Sequence, residues 1–196
     1  MYNWAEHGPF GGHPFLDFIN TVDDEGKTRS MNAIPDWAAV LEWAVATSVL
    51  APGEAERLVH LSIGPAASDE LRQLTDFREM AWVELRRMAA DQPADQENLD
   101  AIGETIRWAL AHSTLESRDG SLRWSPRRED LDLRLIRARL ALALFELTLA
   151  PEIGRLRECG RCTGLFLDRG RGQGRRWCRM TTCGNRAKIE RFRSKP

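Results

Sequence analysis

Residues 159–183 read CGRCTGLFLDRGRGQGRRWCRMTTC, and this stretch holds all four cysteines of a 196-residue chain. The spacing from Cys159 and Cys162 to Cys178 and Cys183 is C-x2-C-x15-C-x4-C. A C-x2-C knuckle presents two sulfurs from one turn, and a returning chain brings a second pair to complete the tetrahedron that zinc prefers. Four thiolates fill that coordination sphere and leave no position for a reactive water. The spacing therefore predicts one structural zinc ion rather than a catalytic one. Two disulfides would suit the same count, but not a reducing interior. Residues 165–167 and 176–178 read as two strands that reverse through Gly170, Gly172 and Gly174. Thr181 and Thr182 offer caps for a last helix from about residue 183 to 193. Knuckle, hairpin and helix in this order describe a treble clef.

Charge changes at the same place as cysteine usage. Residues 152–196 carry 13 Arg and Lys against four acids (Glu152, Glu158, Asp168 and Glu190), a formal +9, whereas the rest of the chain is formally −10. Both breaks fall near Pro151, which divides the chain into an acidic N-terminal domain, 1–150, and a basic finger, 151–196. A compact basic module neutralises phosphates and releases their counterions, and arginine suits bidentate phosphate or guanine contacts. The candidate DNA contacts are Arg171, Arg175, Arg176, Arg186, Lys188, Arg191 and Arg193. The alternative is a zinc-stabilised module that docks on an acidic protein partner. A helical projection at about 100° per residue puts Ile189 and Phe192 on one apolar face, expected to pack on the hairpin with Asn185 beside them. Trp177, next to a ligand, reads as finger core.

The N-terminal domain reads as mainly helical. Apolar residues recur at helical spacing at Trp37, Val40, Leu41 and Ala44, again from Leu71 through Leu74, Phe77 and Leu85, and at Leu99, Ile102 and Ile106. Ser68 is a candidate cap for the second of these helices, and Ser125-Pro126 for a later one. Segment 131–149 is rich in Leu, Ala and Arg and nearly free of β-branching, which favours a buried helix. One small hairpin interrupts the helices, with residues 113–117 and 121–125 flanking an Asp119-Gly120 turn. The fold class is thus α+β: a mainly helical domain with one small β-hairpin, plus the C-terminal finger.

Asp17, Asn20 and Thr21 cluster beside the apolar Leu16, Phe18 and Ile19. They are candidates for a small-molecule effector site, or for caps and loop bonds. Nothing resembles a zinc-protease helix, a phosphate loop or a nucleophile elbow, so no enzyme is expected. No run reaches the roughly 18 apolar residues of a membrane span, and the N-terminus lacks a leader's pattern, which predicts a soluble cytoplasmic protein. Oligomerisation is left open.

The residues also carry a family resemblance. Cys159-Gly-Arg-Cys162, Leu165-Phe-Leu-Asp168, Arg175-Arg-Trp-Cys178 and Cys183-Gly-Asn-Arg186 resemble the CGNR zinc finger. Upstream, Leu16-Asp-Phe-Ile-Asn-Thr21 resembles the opening of the ABATE domain that precedes it. The resemblance implies a stress-induced transcription regulator with a treble-clef finger that binds DNA.

Overall fold

The computed structural model describes residues 8–23, 26–118, 120–127, 132–170, 172 and 174–193. Asp119, residue 131 and Arg171, named above, lie outside these residues. The elements run α1 (Pro14–Ile19), β1 (Val22–Asp23), β2 (Met31–Asn32), α2 (Trp37–Ala46), α3 (Pro52–Val59), α4 (Pro65–Ala89) and α5 (Gln96–Ala111). Then come β3 (Ser113–Arg118), β4 (Ser121–Pro126) and α6 (Arg134–Leu149). A 3-10 turn (Pro151–Arg155) leads into β5 (Leu156–Glu158), β6 (Leu165–Leu167), a π turn (Met180–Gly184) and α7 (Asn185–Arg193).

The helices follow the apolar periodicity, and their ends follow local chemistry. Asp36 caps α2 by accepting from the Ala39 N–H at 2.9 Å. Glu54 reaches back to the Ala51 N–H at 2.9 Å to close the start of α3. Helix α4 begins earlier than its Ser68 suggests. Its N-cap is Gly64, whose φ of 100° is open to glycine, and Ser68 sits inside the first turn with its hydroxyl on the Gly64 carbonyl. Asp95 caps α5. Ser125-Pro126 does not open a helix. Pro126 is the last residue of β4, paired with Ser113, and α6 starts only at Arg134.

Helix α6 is buried over most of its surface and runs through the middle of the domain, with Leu135, Ile136, Ala138, Leu140, Ala141, Leu144 and Leu147 buried. Helix α1 packs against it and against α4. Phe15, Leu16, Phe18 and Ile19 of α1 are fully buried. Phe15 meets Phe77 edge to face at 5.6 Å, and Phe18 lies 5.5 Å from Trp43. Two arginines of α6 enter this core with partners. Arg137 makes a bidentate pair with Glu70 at 2.7 and 2.8 Å, and Arg139 makes another with Glu54 at 2.7 Å.

Three two-stranded antiparallel sheets are present among the described residues. The β3–β4 hairpin is the one anticipated around Asp119-Gly120. A second, β1–β2, pairs Val22 with Asn32 and was not legible in two-residue strands. The third corrects the reading of the finger. Strand β6 pairs with β5, upstream of the knuckle, and not with residues 176–178, which form no strand. The knuckle is therefore the turn of the β5–β6 hairpin.

The finger shares the main core. Leu156, Leu165 and Leu167 pack with the helical residues, while Phe166, one step out of phase, faces the cysteines. The edge of β6 is closed by the Asn20 amide, which donates to the Leu165 carbonyl and accepts from the Leu165 N–H, both at 2.8 Å. The Leu167 N–H donates to the Gly11 carbonyl at 2.9 Å, and the Trp82 indole N–H to the Thr163 carbonyl at 3.0 Å. Glu158 of β5 pairs with Lys27 and Arg86.

Candidate metal centre and basic surface

The β5–β6 turn delivers Cys159 and Cys162, the chain returning from the glycine-rich loop delivers Cys178, and the π turn before α7 delivers Cys183. All four are buried, and their sulfurs lie within 4.8 Å of one another. Cys162 and Cys178 are 3.7 Å apart at sulfur, and Cys178 and Cys183 are 3.6 Å apart. A disulfide needs about 2.0 Å. Thiolates held about 2.3 Å from a central zinc in a tetrahedron are about 3.8 Å from each other, so the donor set and its spacing fit one structural zinc ion.

Backbone donors reach two of the sulfurs. The Gly164 N–H donates to the Cys162 sulfur and the Cys178 N–H to the Cys159 sulfur, each at 3.4 Å. Hydrogen bonds from Cys162, Cys178 and Cys183 push the Cys159 thiol far down, and the bond to Cys159 pushes Cys178 up. Sulfurs this close compete for protons, and a dication relieves that competition. Phe166, Phe10 and Trp177 wall the site from water. Gly164 lets the Phe10 ring lie close over the turn, since a Cβ there would come within 2.8 Å of that ring and displace it.

Asp168 follows β6 with its side chain almost fully buried. One carboxylate oxygen accepts from the Gly170 N–H at 3.0 Å and the other from the Arg175 N–H at 3.1 Å. It thus pins both ends of the arginine-glycine loop. Those bonds, that from Gly170 first, hold its carboxyl below the ordinary range. A single acid at the head of a basic run was the available signal for this clamp.

The candidate DNA contacts divide. Arg175 turns back on the finger, donating to the Trp177 carbonyl at 2.9 Å and to the Cys178 carbonyl, with its guanidinium 4.5 Å over the Phe166 ring. It supports the metal loop. Arg176 is exposed and stacks 4.8 Å from the Trp177 ring. Arg186, Lys188, Arg191 and Arg193 are exposed along α7. Arg171 lies outside the described residues.

Helix α7 is rolled opposite to the expected sense. Ile189 is 50% exposed and Phe192 80% exposed, so neither packs on the hairpin. Glu190, at the exposed edge of α7, makes a bidentate pair with Arg161 of the knuckle at 2.8 and 2.7 Å. The finger's interior is already filled by sulfur, Phe166 and Trp177, which leaves no room for a second apolar layer. Trp177 does pack on the cysteine cluster, as its position beside a ligand suggested. Asn185 donates to the Thr181 carbonyl at 3.2 Å and is exposed.

Asp17, Asn20 and Thr21 meet at the junction between body and finger, and each bonds within the chain. Asp17 accepts from the Phe10 and Gly11 N–H groups at 2.9 and 2.8 Å, which fixes the segment that lies on the finger. Asn20 binds β6. The Thr21 hydroxyl donates to the Phe18 carbonyl at 2.7 Å and accepts from Arg78 at 3.0 Å. Phe10, Trp82 and Glu158 share this junction, and their partners lie too far along the chain for local pattern to expose them.

Among the described residues no helix is long and apolar enough to cross a membrane. No curated protein matches the chain. Residues 155–195 match the family model of the CGNR zinc finger. Residues 12–151 match that of ABATE, described as "Putative stress-induced transcription regulator". With most of its length covered, the chain belongs to the ABATE family and ends in a CGNR zinc finger.

Proposed function

We propose that this regulator binds duplex DNA through its finger, with zinc ordering the finger and the body fixing its orientation. One observation carries the reading. Arg169, Arg176, Arg186, Lys188, Arg191 and Arg193 are all exposed on a module whose four buried cysteines converge and which is seated on the main core. Cations clustered on a folded surface release counterions from the phosphates that they neutralise. A knuckle-bearing hairpin, a loop and a second cysteine pair entering a helix also support the treble-clef assignment.

Zinc, when bound, cross-links the two cysteine pairs and supplies no reacting position. The site has no role in catalysis in this reading, and the chain acts by binding. Arg175 is a positioning residue that holds the loop, so its removal would confound a test of contact. Lys188→Ala/Arg193→Ala is the cleaner probe. Titration of a labelled duplex with the zinc-loaded chain should show binding that weakens severalfold in this variant at unchanged zinc content. Equal binding by the variant would remove α7 from the contact surface. The exposure of Ile189 and Phe192 favours a protein partner as the second reading.

A further inference from the structure

We propose that α7 enters the major groove and reads base edges with its outward face, Ile189 and Phe192 resting on thymine methyl groups. This rests on the reading that the finger binds duplex DNA. At about 100° per residue, Asn185, Lys188, Ile189 and Phe192 fall within an arc of about 100°. The opposite side carries half-buried Ala187, and exposed Glu190, which pairs with Arg161 of the knuckle. The four residues of the arc are all exposed.

Each of these residue types has a counterpart on the groove floor. An asparagine amide pairs with adenine through its carbonyl and one N–H; Asn185 has a second N–H for this while the first holds the Thr181 carbonyl. Lysine donates to the guanine O6 and N7 acceptors. Ile189 and Phe192 have no use inside the finger, and the C5 methyl of thymine is the apolar feature the major groove offers. Arg186 and Arg193 lie on one shoulder of the arc and Arg191 on the other, where the phosphate ridges run. The groove, about 12 Å wide, admits a single helix. The finger's formal +9 selects a polyanion over a neutral apolar partner.

The test uses the zinc-loaded full-length chain. Duplexes are first enriched from a random pool. The best of them is then compared with the same duplex carrying deoxyuracil in place of thymine, which removes only the methyl groups. The expected result is enrichment of thymine at fixed positions and a loss of roughly fivefold or more in affinity on uracil substitution, at an unchanged salt slope. Ile189→Ser/Phe192→Ser should abolish the thymine–uracil difference while keeping zinc content and salt slope. Equal affinity for the two duplexes, with the variant binding as wild type does, would overturn the recognition helix and leave phosphate binding standing. That outcome would assign the apolar face to a protein partner. An absence of duplex binding at low salt would overturn both readings.

Discussion

Asp17 lies in the first turn of α1 with a single carboxylate oxygen accepting from both Phe10 and Gly11. Burial lifts its carboxyl from 3.8 to about 6, against the pull of those two N–H groups and of Arg179. The folded chain therefore binds this proton more tightly than the unfolded chain does. The stability that protonation contributes is complete below about pH 4 and is lost as pH rises through about 6. Asp17→Asn keeps an oxygen for both donors and removes the titration. The stability of the variant relative to wild type should rise by about 2 kcal/mol between pH 4 and pH 7, measured by denaturant unfolding at each pH. Taking the difference cancels acid loss of zinc, which both proteins share. A flat difference would contradict the burial of an ionising Asp17. Asn20 illustrates why such roles escape sequence reading. Its type and place beside Phe18 were visible, but Leu165, the residue whose N–H and carbonyl it satisfies, lies 145 positions away.

At the scale of elements, the Arg137–Glu70 pair joins α6 to α4 with both side chains nearly buried. Arg137 also lies 4.3 Å over the Trp108 ring of α5, so three helices meet at one guanidinium. Removing the cation alone strands a buried carboxylate. Arg137→Met should cost about 3–5 kcal/mol, and Arg137→Met/Glu70→Leu should recover most of that loss in denaturant unfolding. A small cost for the single variant would show the pair to be solvated. Helices α2, α4, α5 and α6 were legible because long amphipathic or predominantly apolar segments leave few alternatives. The β3–β4 hairpin was legible from its turn. Short elements were not. Strand β6 has three residues, and either side of the knuckle offered it a partner; the core contributed by Leu156 chose β5. The roll of α7 was misread because an apolar stripe was assumed to face inward, whereas sulfur and aromatic rings already fill that interior. The metal centre, by contrast, was legible from spacing alone, since four ligands with one preferred geometry leave little freedom.

At the scale of the whole molecule, the metal and the hydrophobic core support each other. Leu156, Leu165 and Leu167 belong to the main core, and the same hairpin presents Cys159 and Cys162. Chelation should therefore lower the melting temperature of the helical body by several degrees, followed by far-ultraviolet circular dichroism, because metal binding is coupled to folding. A body transition indifferent to chelation would mean that the finger folds apart from it. The basic surface is carried on this coupled unit, and duplex binding tests its role most directly. The zinc-loaded chain should bind duplex DNA with an affinity that falls linearly in log–log form from about 50 to 200 mM salt. Its slope should lie near −4 to −5, as for about five neutralised phosphates, and chelation should abolish the binding. An absence of binding at the low-salt end with zinc in place, or a slope near zero, would contradict the account.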